Sequence, residues 1–145
     1  MSPQLMDIAL HISHRTRDLS VICSRLGLTP AIMWTAGDER QTPKGTRIGG
    51  RGTGSYCSIP FGRDKREPLA KRIRTVLRRL KPHRRALRTL SATGGPISLF
   101  VGWFCDEHTG DTLEFQLLGE AADLRIAIDL NIYVRDSSKT RFSKR

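Results

Sequence analysis

A chain of 145 residues, 38% hydrophobic and 27% charged, has the size and balance of one folded domain with a real core, which argues against global disorder. Its 25 Lys/Arg against 14 Asp/Glu give a formal charge of +11 and favour anionic partners: nucleic acid, an anionic membrane surface or an acidic protein. The longest apolar run, Ile97 to Cys105, is too short to span a bilayer, and MSPQLMDIALHIS lacks the basic n-region and apolar core of a signal peptide, so a reducing cytoplasm is the expected location.

In chain order, Asp7 to Ser13 alternates as a half-buried strand, with Ile8, Leu10 and Ile12 on one face. Thr16 or Asp18 caps a following helix whose stripe is Leu19, Ile22, Cys23 and Leu26. Gly27 stops that helix, and Pro30 prevents its resumption. Residues 31 to 54 end in GTRIGGRGTG and read as a long mobile loop. Tyr56 to Phe61 reads as a strand that Pro60 confines to an edge or to its own end.

The next stretch, Arg63 to Arg88, holds twelve Lys/Arg against two acids. Pro68 suits a first turn, and Leu69, Ile73, Val76, Leu77 and Leu80 form one helical stripe. Lys71, Arg72, Arg74, Arg78, Arg79 and Lys81 fill the opposite half of the wheel. Pro82 breaks or kinks the helix, because a mid-helix proline loses a hydrogen bond and clashes with the preceding turn. A shorter helix, His83 to Leu90, follows with Leu87 and Leu90 inward, up to Gly94-Gly95-Pro96.

Ile97 to Cys105, apolar on both faces, reads as the central strand. A turn at His108 to Asp111 and the alternation Leu113, Phe115, Leu117 suggest a hairpin partner over Thr112–Leu117. A short helix, Leu118 to Leu124, and a strand, Ile126 to Val134, complete the domain. The polar, basic tail 135–145 reads as disordered. The order β-α-β-α-α-β-β-α-β predicts a single α+β domain over residues 1–134, a two-layer sandwich of mainly antiparallel sheet with its helices on one face. His11, Phe100, Phe104, Asp129, Asn131 and Tyr133 are expected on the exposed face of that sheet. Residues 106 to 134 carry seven acids and only Arg125, a segregation that would suit head-to-tail self-association.

An opening strand, a helix ending in RLGLTP (Arg25–Pro30), the segment Trp34-Thr35-Ala36-Gly37, LKP at Leu80–Pro82 and a closing DLNIYV (Asp129–Val134) resemble the bacterial domain of unknown function 4279 family. Two departures are Tyr56, where the family typically carries Trp, and a more basic helix. The resemblance implies a small bacterial cytosolic protein without cofactor and names no catalytic residue.

The arginine-rich helix can track a phosphate backbone, because each guanidinium presents a fork of donors to phosphate oxygens. Lys71, Arg72, Arg74, Arg78, Arg79 and Lys81, helped by Arg84, Arg85 and Arg88, are the candidate anion-binding residues. Arg47 and Arg51 of the glycine-rich loop join them, since backbone amides there could form an anion nest. That loop lacks GxxxxGK[ST], and GxGxxG fails at Ser55. No metal site is expected: Cys105-Asp106-Glu107-His108 point in different directions at a strand end, and His11 and His14 lie on opposite faces of one strand. The cysteines, Cys23, Cys57 and Cys105, form no CxxC and read as core residues. Trp103 reads as core and Trp34 as a lid over the core edge. The sequence therefore points first to a non-enzymatic protein that binds nucleic acid through the basic helix. An immunity or regulatory module engaging an acidic protein comes second, and an enzyme with a pocket beside the glycine-rich loop third.

Overall fold

The computed structural model describes residues 5–41, 47–51, 53–64, 67–105 and 107–134. At its centre is β1 (Leu5–His14), where Met6, Ile8, Leu10, Ile12 and His14 are buried and the intervening residues are half-covered. Since strand side chains alternate faces, one side of β1 belongs wholly to the core. Helix α1 (Ser20–Leu26) follows. Of the two expected caps it is Asp18 whose Oδ1 accepts the Ser20 N–H, at 2.9 Å, and Gly27 ends the helix at φ 67.

Five strands form one sheet in the order β2-β5-β1-β6-β7, with β2 (Ile32–Trp34), β5 (Ser55–Asp64), β6 (Ile97–Cys105) and β7 (Ile126–Val134). Every neighbouring pair is antiparallel except β6–β7. The expected α+β sandwich with a mainly antiparallel sheet is therefore present, but several local expectations are corrected.

Residues 31 to 54 are not one mobile loop. They contain β2 and a separate two-stranded sheet of β3 (Glu39–Gln41) and β4 (Arg47–Arg51), strands too short and glycine-rich to show a period. β6 lies beside the central β1 rather than at the centre. Finally, the hairpin over Thr112–Leu117 does not form. β7 runs parallel to β6 from Ile97↔Ile126 to Cys105↔Val134, and a parallel neighbour needs a crossover that carries the chain back. Helix α4 (Phe115–Asp123) supplies it. Leu117, Ala121 and Leu124, spaced i, i+4 and i+7, are buried while Phe115 is exposed, so the helical period prevails over the two-residue one.

Pro60 too departs from its expectation, since β5 lies between β2 and β1 rather than at an edge and runs on past Pro60 to Asp64; only its local reason holds. Ser58 O accepts the Ala31 N–H on the β2 side of β5, so Pro60, two residues on, turns its nitrogen the same way, past the start of β2 where no donor is required. Two residues later Gly62, at φ 88, accommodates the register shift between β5 and β1.

Helices α2 (Leu69–Leu80) and α3 (Arg84–Ala92) join through a 3-10 turn, Lys81–His83, at Pro82. Leu69, Ile73, Val76, Leu77, Leu80, Leu87 and Leu90 enter the same buried cluster as the stripes of α1 and α4 and the inner strand residues. All four helices therefore cover one face. The tail 135–145 lies outside the described residues. No described helix is long and apolar enough to cross a membrane.

His11 and His14 take opposite faces, as the strand period requires. His14 Nε2 lies 3.0 Å from Thr93 Oγ1, while its Nδ1 accepts the backbone N–H groups of Thr16 and Arg17 at 3.1 and 3.0 Å. That arrangement needs a neutral ring. Burial, with the charges of Arg17 and Arg15, pushes its pKa below the usual histidine range. Burial lowers His11 as well, partly opposed by Asp129. A depressed histidine pKa means that the unfolded chain takes up protons before the folded one does. Stability should therefore be level above about pH 6.5, fall as pH drops below it, and level off beneath the folded pKa. Thermal unfolding between pH 7.5 and 5 checks this; a midpoint that rises on acidification contradicts the assignment of His14 as a neutral acceptor.

Candidate anion-binding surface

Helix α2 begins after Pro68, whose φ of −59 and ψ of 151 lie outside the helix, and has no acid in its first turn. Its N-terminus is served from elsewhere in the chain: Asp111, in the connection before α4, accepts the Ala70 N–H through Oδ2 at 2.8 Å. A carboxylate there satisfies an orphan donor and complements the positive end of the helix dipole. Arg78 and Arg79 in the last turn complement the other end.

The structure divides the predicted cationic set. Lys71, Arg78, Arg79, Lys81 and Arg85 are exposed and Arg74 is half-buried. Lys71, Arg74, Arg78 and Lys81, at i, i+3, i+7 and i+10, form one row over roughly 15 Å of helix axis. None of these six cations is ion-paired with another described residue.

Arg72 is a correction. It is 7% exposed, and its guanidinium donates to Met6 O at 2.6 Å and Gly62 O at 2.9 Å. On the wheel it lies 40° from Val76, at the margin of the apolar stripe rather than opposite it. A long side chain at such a margin can bury its stem and deliver its head to main-chain carbonyls.

Arg84 and Arg88 are partly committed too: Asp123 of α4 lies 3.3 Å from the first and 3.8 Å from the second. With Asp111, this means that the acidic C-terminal segment folds against the basic helices and answers some of their charge within the molecule. The backbone of Arg47 to Arg51 forms β4, while the side chains of Arg47 and Arg51, and residues 45, 46 and 52 of the Gly45–Gly54 candidate, fall outside what is described.

On the opposite side of the molecule, the exposed sheet face carries His11, Phe100, Phe104, Asp129, Asn131 and Tyr133, as expected, together with Trp34 and Tyr56. Trp34 is therefore no lid over the core: it packs on Tyr56 with ring centroids 4.8 Å apart. Tyr56 meets His11 at 5.7 Å, His11 stacks on Phe100 at 5.2 Å, and Phe104 stacks on Tyr133 at 4.8 Å. Arg63 reaches over Phe104 at 5.8 Å while donating to both oxygens of Asp7 at 2.6 Å. That pair, foremost by its hydrogen bond, holds the Asp7 carboxyl below its ordinary range. It was not legible beforehand, since only the β1–β5 register brings residues 7 and 63 together.

The packing of α1 on the sheet also brings Cys23 and Cys57 together, sulfur to sulfur at 3.8 Å. Burial first, and Cys23 beside it, push the Cys57 thiol up to about 12, so it is a protonated core group at neutral pH and a poor nucleophile. Trp103 is core, as expected. No group of three or more His, Cys, Asp or Glu able to hold a metal occurs among the described residues.

Residues 4–135 match the family described as Domain of unknown function (DUF4279). No curated protein and no solved structure matches the chain.

Proposed function

The chain belongs to the DUF4279 family, whose description carries no activity, and on that premise we propose that it is a binding protein engaging the phosphate backbone of nucleic acid through the outer face of α2 and the start of α3. The observation that supports this reading is the acid-free set Lys71, Arg74, Arg78, Arg79, Lys81 and Arg85, ion-paired with no other described residue although the same protein pairs Arg63, Arg84 and Arg88. A row of roughly 15 Å matches the axial rise of about four base pairs at 3.4 Å each. Contacts of this kind position a protein on a backbone and carry no base specificity.

Fluorescence anisotropy with a labelled duplex and a labelled single strand tests it. Joint replacement of Arg78 and Arg79 by Glu should weaken binding at least tenfold while the unfolding midpoint falls only slightly, because both side chains are exposed and lose only their interaction with the helix end, about 0.3–1 kcal/mol each. Retention of full affinity by the folded variant would sink the reading. An acidic protein is the competing partner, and a complex with one that survives nuclease treatment, alongside failure to bind either oligonucleotide, would replace nucleic acid by protein.

A further inference from the structure

We propose that the free edge of β7 is a self-association surface, at which a second copy of this chain adds its own β7 antiparallel to the first and continues the sheet to ten strands. β7 ends the sheet, hydrogen-bonded to β6 on one side and to no described strand on the other. Natural proteins blunt such edges with lysine, proline, bulges or short strands. IAIDLNIYV has none of these: it is nine residues long, contains neither Lys nor Pro, and keeps unbroken register with β6.

The row of β7 that faces the helices begins in the core at Ile126 and emerges from it, with Leu130 43%, Ile132 55% and Val134 69% exposed. Beside it, α4 leaves Leu118 47% and Phe115 78% exposed. The side of α4 on which Leu118 lies follows from the ion pairs. Asp123 faces Arg84 and Arg88 of α3, and the buried stripe Leu117, Ala121 and Leu124 comes next around the helix. Leu118 is beyond that stripe, about 60° past Ala121 on the side away from Asp123, and so overhangs the β7 edge, whereas Phe115, about 160° from Leu117, points outward. Leu118, Leu130, Ile132 and Val134 thus form one border without a charged side chain. The single charge on the strand, Asp129, points to the other face.

A second copy is the occupant that this border fits. A strand paired antiparallel with its own twin obeys a two-fold axis, so the same patch meets itself: the two apolar borders come together beneath the two α4 helices while the edge amides and carbonyls pair. Taking ~150–200 Å² for each large aliphatic side chain, near the lower end of an aromatic one, the four at these exposures offer on the order of 350–400 Å² per copy. Doubled, and with the edge backbone added, this approaches the roughly 1,000 Å² that a specific interface needs. A charged partner finds no complement on the border. Because the two-fold axis stands perpendicular to the sheet, both α2 helices end on one side of the dimer.

Sedimentation of the intact, nucleic-acid-free protein tests this in ~1 M salt, where exposed charges are screened within about 3 Å. The expected mass is twice the 16.3 kDa chain. Ile132→Lys, and separately Leu118→Glu, should each return the single-chain mass with the unfolding midpoint unchanged. A single-chain mass for the wild type overturns the proposal, as would a dimer that dissociates in high salt or one indifferent to both substitutions.

Discussion

Reversing the charge at Arg72 will unfold the protein, whereas the same reversal at Arg78 will leave it folded. The two residues belong to one helix and look alike in a list of cations, but they do opposite things. Arg72 carries its guanidinium inward to the place where β5 slips register against β1. There Gly62 sits at φ 88, and the Gly62 and Met6 carbonyls take their donors from Arg72. Hydrogen bonds from a charged donor contribute about 1.5–3 kcal/mol each. A glutamate at this position would remove both and aim a carboxylate at two carbonyls, with Asp7 close enough for Arg72 now to lower its pKa. An unpaired buried charge adds a further ~3–5 kcal/mol, and the total approaches the whole stability of a typical domain, about 5–15 kcal/mol. The milder Arg72→Met keeps much of the stem's packing and should cost about 3 kcal/mol. Urea unfolding distinguishes the cases: an Arg72→Met midpoint equal to that of the wild type would show that the buried hydrogen bonds contribute nothing.

The second large effect is expected at Gly95. A Cβ built there would meet Leu90 O at 2.8 Å, Ser13 O at 2.9 Å and His14 Cδ2 at 2.9 Å. Two of the three are main-chain atoms held in place. Leu90 O accepts the Gly95 N–H at 2.9 Å where α3 ends, and Ser13 donates to Pro96 O at 3.1 Å where β1 meets the start of β6. Nothing there can give way cheaply, so Gly95→Ala should destabilise by about 3 kcal/mol, at the upper end for overpacking. Gly119→Ala is the control. That position, inside α4, has nothing within 4 Å of the new methyl, and alanine should stabilise it by roughly 0.5–1 kcal/mol through helix propensity. Equal unfolding midpoints for the two variants would contradict this account of the α3–β6 turn.

These two residues also show where the sequence can be read and where it cannot. The strands β1 and β7 and the inner stripes of α1, α2 and α3 were visible because each repeats an apolar residue at its own period. The sheet's wet face was visible for the same reason. Arg72 was not, because its role depends on a bulge in β5 that no period announces. The hairpin after β6 failed because Leu117 also begins a helical stripe with Ala121 and Leu124, and only the parallel pairing of β7 decides between the two. β2, β3 and β4 are three to five residues long, too short to show alternation. The acids that serve the basic helices, Asp111 and Asp123, lie 41 and 39 residues in sequence from Ala70 and Arg84. Segregated charge in the sequence thus becomes partial complementarity in space, and only the fold sets apart the cations that have no described acid beside them.

The outer face of α2 and the start of α3 is the proposed binding surface, and the salt dependence of nucleic-acid affinity tests it most directly. Six cations lie there. If about five of them neutralise phosphates, a plot of log affinity against log salt should fall with a slope of roughly −4 to −5 on a duplex and about −3.5 on a single strand. The Arg78→Glu, Arg79→Glu variant should show a slope shallower by about 2. An affinity that is flat between low and physiological salt, or no binding even at low salt, contradicts the proposal.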